Sequence, residues 1–164
     1  MNAHEVVADR LWQMLNAELE GYRALSAALD EEAIALSRRD AQTLGELAVR
    51  KEGLTSTLQE YNEQRNALLE YAGFQADASA VTACIEHAPE NRRKLLSALW
   101  GQLLDTATDC RERNHSHGRD IEINLDFNRR ALGILRGEQP DNALYGANGR
   151  PGSGSGGSLI LGSA

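Results

Sequence analysis

The stretch LGELAVRKEGLTSTLQEYNEQRNALLEYA, residues 44–72, contains the most regular pattern in the chain and determines the expected fold class. Its positions separated alternately by three and four residues are Leu44, Leu47, Lys51, Leu54, Leu58, Tyr61, Arg65, Leu68 and Ala72. This spacing places one row of side chains along a single face of an α-helix. With Asp40 as an N-cap and Gly73 as a C-cap, it predicts a helix over residues 40–72.

A second helix is predicted upstream, over residues 3–37. The row that repeats every seven residues there consists of Ala8, Leu15, Tyr22, Leu29 and Leu36. At ~1.5 Å per residue, each of the two helices is about 50 Å long. A tight turn at Asp40 joins them, so the sequence predicts a long antiparallel helical hairpin of the coiled-coil type.

Charged residues interrupt both helix rows at a few positions. Glu18 and Glu32 lie in the row of the first helix, and Lys51 and Arg65 lie in the row of the second. A cation at a core position either extends its aliphatic stem across the core or pairs with a buried acid. We therefore expect either an aliphatic stem that extends across the core or a partner such as Glu18 or Glu32, in preference to a binding role for these cations.

Two further helices are predicted, a short one over 77–88 and a long one over 90–136. Uninterrupted, the long helix reaches about 70 Å, which exceeds the length of the hairpin. Either its second half projects beyond the hairpin, or it bends near His117 and Gly118, where helix propensity is lowest. Residues 1–137 are thus expected to form the helical body of the protein.

Composition supports an all-α fold and excludes several classes of function. Ala, Glu, Lys, Leu and Arg make up 78 of the 164 residues, whereas Val, Ile and Thr total only 16. The net charge of −7 disfavours binding to nucleic acid or to anionic lipid. No segment approaches the ~18 consecutive apolar residues of a membrane helix, and the N-terminus lacks a signal peptide, so a cytoplasmic protein without membrane insertion is expected.

The composition changes after Gly137. Residues 137–164 contain three charged residues, and seven of the 15 glycines lie at or after Gly146. We expect residues 138–164 to be a flexible tail that ends in the short apolar patch Leu159-Ile160-Leu161.

Catalytic and metal-binding constellations are largely missing from the sequence. Glu112 and His115 form one Glu-x-x-His, but carboxylate di-iron sites require this motif twice, with two further glutamates. Cys84 and Cys110 do not form a CxxC pair and are expected to be small buried apolar residues. Phosphate loops and nucleophile elbows are absent. The sequence therefore predicts neither an enzyme nor a metal or other cofactor.

In the last part of the long helix, apolar side chains occupy more than one face of the helix. At 100° per residue, its apolar side chains form two stripes, which we call stripe A (Ile121, Leu125, Leu132 and Leu135) and stripe B (Ile123, Phe127, Ala131 and Ile134). One stripe can pack on the hairpin. The other must contact the short helix, another subunit or a partner protein, and the length of the helix favours an intermolecular role.

These patterns together resemble the FlgN-type flagellar export chaperones. The resemblance rests on the Leu-rich helices, on NHSHG at 114–118 ahead of a helix that ends in ALGIL at 131–135, and above all on LYGANGR at 144–150. The family often has Asn-x-x-Asn-Gly and Leu-Tyr-Gly-x-Asp/Asn-Gly at the corresponding places. This chain departs from the family pattern at His117, Arg119 and Asp120, which therefore inherit no family role.

The resemblance implies a cytosolic chaperone for hook-filament junction proteins, which it holds before type III export. The family's C-terminal helix and tail capture C-terminal segments of these clients, which assigns client binding to the eight residues of stripes A and B. The tail tyrosine of the family has been linked to docking on the flagellar export gate and its ATPase components, which assigns docking to Tyr145. Alternatively, Tyr145 closes the helix by packing on Leu135.

A second class of function remains open at the level of the sequence. A structural coiled-coil adaptor would use the same surplus apolar face for oligomerisation, and a homo-oligomer can also form when no client is bound. The mass of the protein in solution distinguishes an adaptor from a chaperone, because an adaptor remains a stable dimer or tetramer when residues 119–164 are removed.

Overall fold

A computed structural model describes residues 3–75 and 79–136 of the chain. These residues form four helices: α1 (Ala3–Arg38), α2 (Ala41–Tyr71), α3 (Ala80–Glu86) and α4 (Glu90–Leu135). The described part of the chain contains no strand, so the prediction of an all-α fold with a long last helix is confirmed. The expected tail, 138–164, lies outside the described residues. The chain divides into two compact units, Met1–Glu122 and Ile123–Ala164.

The turn between α1 and α2 is built from two residues with different roles. Arg39 adopts a left-handed conformation with φ of 54°, and its N–H donates to the carbonyl of Leu36. Asp40 caps α2, because its carboxylate accepts hydrogen bonds from the backbone N–H and the hydroxyl of Thr43 at 3.1 and 2.7 Å. The Thr43 hydroxyl, followed by the Thr43 N–H, lowers the pKa of Asp40. This turn reverses the chain and brings α2 back along α1.

The C-terminus of α2 is stopped by a glycine. Gly73 has φ of +87°, a value that a residue with a side chain rarely adopts. The N–H of Phe74 donates to the carbonyl of Leu69, and that of Gly73 donates to the carbonyl of Glu70. This is a Schellman motif, and it satisfies carbonyls that the end of the helix would otherwise leave unpaired.

Small residues let α1 and α2 pack closely. Gly21, Ala28 and Ala35 recur every seventh residue of α1, and both alanines are buried. A Cβ atom added to Gly21 would lie 2.8 Å from Cδ2 of Leu58, closer than two carbon atoms can approach. The prediction of a helical hairpin therefore has a specific packing basis in this row of α1.

The main apolar core joins the first half of α1 to α3, to the end of α2 and to the first half of α4. Its buried members are Ala8, Leu11, Leu15, Leu19, Leu69, Ala80, Val81, Cys84, Ile85, Ala88, Leu96, Leu99 and Leu103. Helix α3 contributes four of these residues within seven positions, so it covers the core as a short lid.

Helix α4 runs without a break from Glu90 to Leu135. The helix is therefore continuous through His117 and Gly118, where its predicted helix propensity is lowest. No helix within residues 3–75 and 79–136 combines the length and the apolar character needed to cross a lipid bilayer.

Candidate functional site

The hairpin contains a buried ion pair between Glu18 of α1 and Arg65 of α2. Both side chains are almost fully buried, at 4% and 10% exposure. Arg65 also donates to the side-chain oxygen of Asn62, and its guanidinium carbon lies 5.3 Å from the centre of the Trp100 ring on α4. The cation is therefore held by a carboxylate and an aromatic face, as expected for a structural residue.

A second buried network surrounds Glu32 of α1, 14 residues after Glu18. Lys51 of α2 lies 2.7 Å from Oε1 of Glu32, and Nδ1 of His117 lies 2.8 Å from Oε2. Lys51 Nζ also donates to the side-chain oxygen of Asn114 at 2.8 Å. One carboxylate thus connects three helices.

The expectation that Glu18 and Glu32 are partners of the core cations is confirmed by these two networks. Lys51 and Arg65 are 14 residues apart, the same spacing as the two glutamates, so a single antiparallel register aligns both pairs. The contact of His117 with Glu32 was not predicted from the sequence. The clue was the spacing of three residues between Asn114 and His117, which places both side chains on one face of α4.

Arg113 provides another link between α4 and α1. Its guanidinium donates to the hydroxyl and to the carbonyl of Ser26 and forms ion pairs with Asp30 and Asp109. Nearer the start of α4, Arg92 pairs with Asp9 at 2.6 Å. Polar contacts with α1 are thus found along α4 from Arg92 to His117.

The end of α4 differs in character, because its large apolar side chains are exposed. Their exposed fractions range from 50% to 83%. The exposed residues are Ile123, Leu125, Phe127, Leu132, Ile134 and Leu135. Ile121 and Ala131 are partly buried. This segment also contains an ion pair between Arg130 and Asp126, one turn apart on the same helix.

The three leucines of stripe A, Leu125, Leu132 and Leu135, are exposed, like the large side chains of stripe B. Only Ile121, which precedes Glu122, is partly covered. The structure therefore leaves both stripes accessible to a partner. Exposed leucine, isoleucine and phenylalanine at this density are typical of a protein-binding surface.

The described residues show no arrangement of side chains that suggests a metal site. No group of three or more His, Cys, Asp and Glu side chains in 3–75 and 79–136 is positioned to bind a metal ion. Cys84 and Cys110 are free and buried, as expected, and burial raises the pKa of both thiols. Thiols in this state are poor nucleophiles. Tyr145 lies outside the described residues.

Comparison with known protein families bears on the two classes of function that the sequence left open, a chaperone and a structural adaptor. The family described as FlgN protein matches residues 1–153, which is most of the chain. The chain belongs to the FlgN family. Neither the curated proteins nor the solved structures that were compared with the chain gave a match.

Membership of the FlgN family makes this protein a flagellar export chaperone in the general sense. The match continues past the described end of α4 and through the LYGANGR segment at 144–150. The exposed stripes at the end of α4 therefore belong to the part of the chain that the family match covers.

Proposed function

We propose that this FlgN protein binds C-terminal helical segments of hook-filament junction proteins through the end of α4 and acts in the cytoplasm, without an enzymatic activity. The single observation that carries the proposal is the exposure of six large apolar side chains of stripes A and B on one helix. Binding covers the client segment, which prevents its premature assembly.

An amphipathic helix of the client suits this surface. Stripe B contains the exposed aromatic residue Phe127, and Ile123 and Ile134 lie on the same face within about 17 Å. A helix partner presents apolar residues with a similar spacing, so the two faces can interdigitate. Burial of a side chain such as Phe127 contributes about 1.5–3 kcal/mol to such a contact.

We further propose that Tyr145 contacts the flagellar export gate or its ATPase components. The tail sequence from residue 138 onward is rich in Gly and Ser, a composition that links a binding motif to a folded body as a tether. Because the body already holds the client, a weak motif on such a tether is sufficient for delivery.

The experiment that tests client binding is a pull-down of a hook-filament junction protein by purified variants. Replacement of Ile123 and Phe127 by Ser is expected to abolish capture. The matched control replaces Ile34 and Val49 by Ser, two exposed apolar residues on α1 and α2. Equal capture by both variants would exclude the end of α4 as the client site.

The docking role of Tyr145 is tested in the same assay with the cytoplasmic domain of the export gate as a second prey. Tyr145→Ala is expected to retain the junction protein and to lose part of the gate domain, with no change in melting temperature. A melting temperature lower by several degrees would instead indicate that the tyrosine closes the helix.

A further inference from the structure

A groove lies between α2 and α4 within the unit that comprises residues 1–122, and α1 contributes to its floor. Two adjoining cavities of about 440 and 360 Å³ form it. Its walls extend from Lys51 to Arg65 on α2 and from Trp100 to Asn114 on α4, so each wall covers 14 residue steps. At ~1.5 Å per residue, the groove is about 21 Å long, which is the length of four turns of an α-helix.

The two walls of the groove differ in polarity. The exposed residues of the α2 wall, Thr55, Gln59 and Asn62, are all polar. The first half of the α4 wall is apolar and consists of Trp100, Leu103, Leu104 and Ala107. Leu104 is 45% exposed, so an apolar side chain from outside can pack against it. A helix that fits this groove is therefore amphipathic, with its apolar face toward α4 and its polar face toward α2.

The groove has an excess of positive charge. Among the described residues, its lining contains three cations, Lys51, Arg65 and Arg111, and one acid, Glu18. Glu18 is paired with Arg65, and Lys51 is paired with Glu32, which is not part of the lining. Arg111 is exposed and forms no ion pair with any residue in 3–75 or 79–136. A carboxylate on the bound helix is the complement of this guanidinium.

We propose that the groove binds a second helix of the client, which is amphipathic and has an Asp or Glu side chain that pairs with Arg111. Such a helix is the fourth member of a bundle with α1, α2 and α4. The inference rests on the proposed function, because a client held through its C-terminal segment presents the rest of its chain to the groove at a high effective concentration. A weak contact in the groove then strengthens capture of the intact client.

A photo-cross-linker in the groove identifies the molecule that occupies it. Thr108, which is exposed and lines the groove, is replaced by p-benzoylphenylalanine. The matched control replaces Gln102, an exposed residue about 120° around α4 from Thr108 and outside the lining. Purified, intact junction protein is the prey, and mass spectrometry maps the cross-linked segment. We expect position 108, but not position 102, to cross-link to a helix of the client outside its C-terminal segment.

Charge reversal at Arg111 measures the contribution of the ion pair. Arg111→Glu is expected to raise the Kd of intact junction protein at least about tenfold, since two like charges then face each other. The Kd of the isolated C-terminal segment should be unchanged. Lys94→Glu is the control, because it makes the same change of charge at an exposed residue about 100° around α4 from Arg111. It should leave both Kd values unchanged.

A substitution in the apolar wall provides a second variant that does not change the charge. Leu104→Ser is expected to raise the Kd of intact junction protein by about tenfold, because a half-exposed leucine loses its apolar contact with the client. Leu95→Ser is the control, since Leu95 is 54% exposed and lies on the opposite side of α4, nine residues earlier. Melting curves verify that each variant is folded.

Three results would overturn this proposal. The first is a cross-link from position 108 that is absent, is matched by position 102, or leads to the client's C-terminal segment or to a second copy of the chain. The second is an unchanged Kd of intact junction protein for both Arg111→Glu and Leu104→Ser. The third is an equal rise in the Kd of the isolated C-terminal segment, which would place that segment in the groove.

Failure of the proposed function gives a different result. It appears as an unchanged Kd of the isolated C-terminal segment when Ile123 and Phe127 are replaced by Ser, two changes that leave every residue of the groove lining in place.

Discussion

The α1–α2 hairpin and the end of α4 distribute charged and apolar side chains in opposite ways. The hairpin buries Glu18, Glu32 and Arg65 among apolar residues, whereas residues 123–135 expose six large apolar side chains to solvent. Both arrangements cost free energy in isolation, because burial disfavours a charge and exposure disfavours an apolar surface. In the hairpin, the cost is offset inside the molecule by ion pairs. At the end of α4, we propose that a bound client offsets it.

This difference separates residues that determine the fold from residues available for binding. The buried pairs specify one antiparallel register, since a shift of α2 along α1 would leave Glu18 and Glu32 without their cations. Substitutions in the exposed stripes are expected to have little effect on the fold. Stability and binding are therefore expected to depend on different residues.

The largest effect on stability is expected from Glu18→Ala. This change leaves the guanidinium of Arg65 buried without its carboxylate, which costs about 3–5 kcal/mol. Chemical denaturation followed by circular dichroism measures the free energy of unfolding. A loss below 1 kcal/mol would show that the buried pair does not hold the hairpin.

Replacement of both partners sharpens this test. With Glu18→Leu and Arg65→Leu combined, no buried charge remains, and the buried Nε of Arg65, which has no hydrogen-bond partner within the described residues, is also removed. The double variant is expected to be more stable than Glu18→Ala by several kcal/mol. Arg65→Leu alone is expected to destabilise the fold, because it leaves the carboxylate of Glu18 buried without its cation. If Arg65 only extended its stem across the core, this change would be harmless.

A smaller loss is expected from Gly21→Val at the close approach of α1 and α2. The added side chain overlaps Leu58, and overpacking of this kind costs about 1–3 kcal/mol. Gly53→Ala on α2 is the control, because its added Cβ meets no atom within 4 Å and should stabilise the helix. Equal effects of both changes in thermal melts would contradict the close packing of this row.

A modest gain is expected at the turn of the hairpin. Arg39 is held with φ of 54°, a conformation that costs a residue with a side chain about 1 kcal/mol relative to glycine. Arg39→Gly should therefore raise the free energy of unfolding by up to this amount. The same denaturation assay checks it, and Arg38→Gly, within α1, should instead destabilise.

The smallest effect on stability is expected at the end of α4. Replacement of Ile123 and Phe127 by Ser should change the free energy of unfolding by less than about 1 kcal/mol, since both side chains are already exposed. Unfolding of this variant, or a loss of several kcal/mol, would show that stripe B is part of a core.

The helices could be predicted from the sequence because their patterns and caps are local. The predicted bounds of α1, α2 and α4 differ from the observed ones by one residue at most. The partners of Lys51 and Arg65 could also be predicted, because a buried cation requires an acid and only a few acids interrupt the row of α1. These inferences need only periodicity and charge.

The remaining features depend on packing between helices. The pairing of His117 with Glu32 requires the rotation of α4 relative to α1 and α2, which no local pattern specifies. The client-binding residues and Tyr145 were assigned through the resemblance to the family, and both assignments stay predictions.

The affinity of the chaperone for a client segment tests the central claim most directly. We would measure, by fluorescence anisotropy, the Kd of a labelled C-terminal segment of a hook-filament junction protein from the same organism. The account predicts that Ile123→Ser with Phe127→Ser raises the Kd at least a hundredfold at unchanged melting temperature, consistent with the loss of two buried side chains. Ile34→Ser with Val49→Ser should leave the Kd unchanged. An unchanged Kd for the α4 variant, with its fold intact, would contradict the assignment of the end of α4 as the client-binding surface.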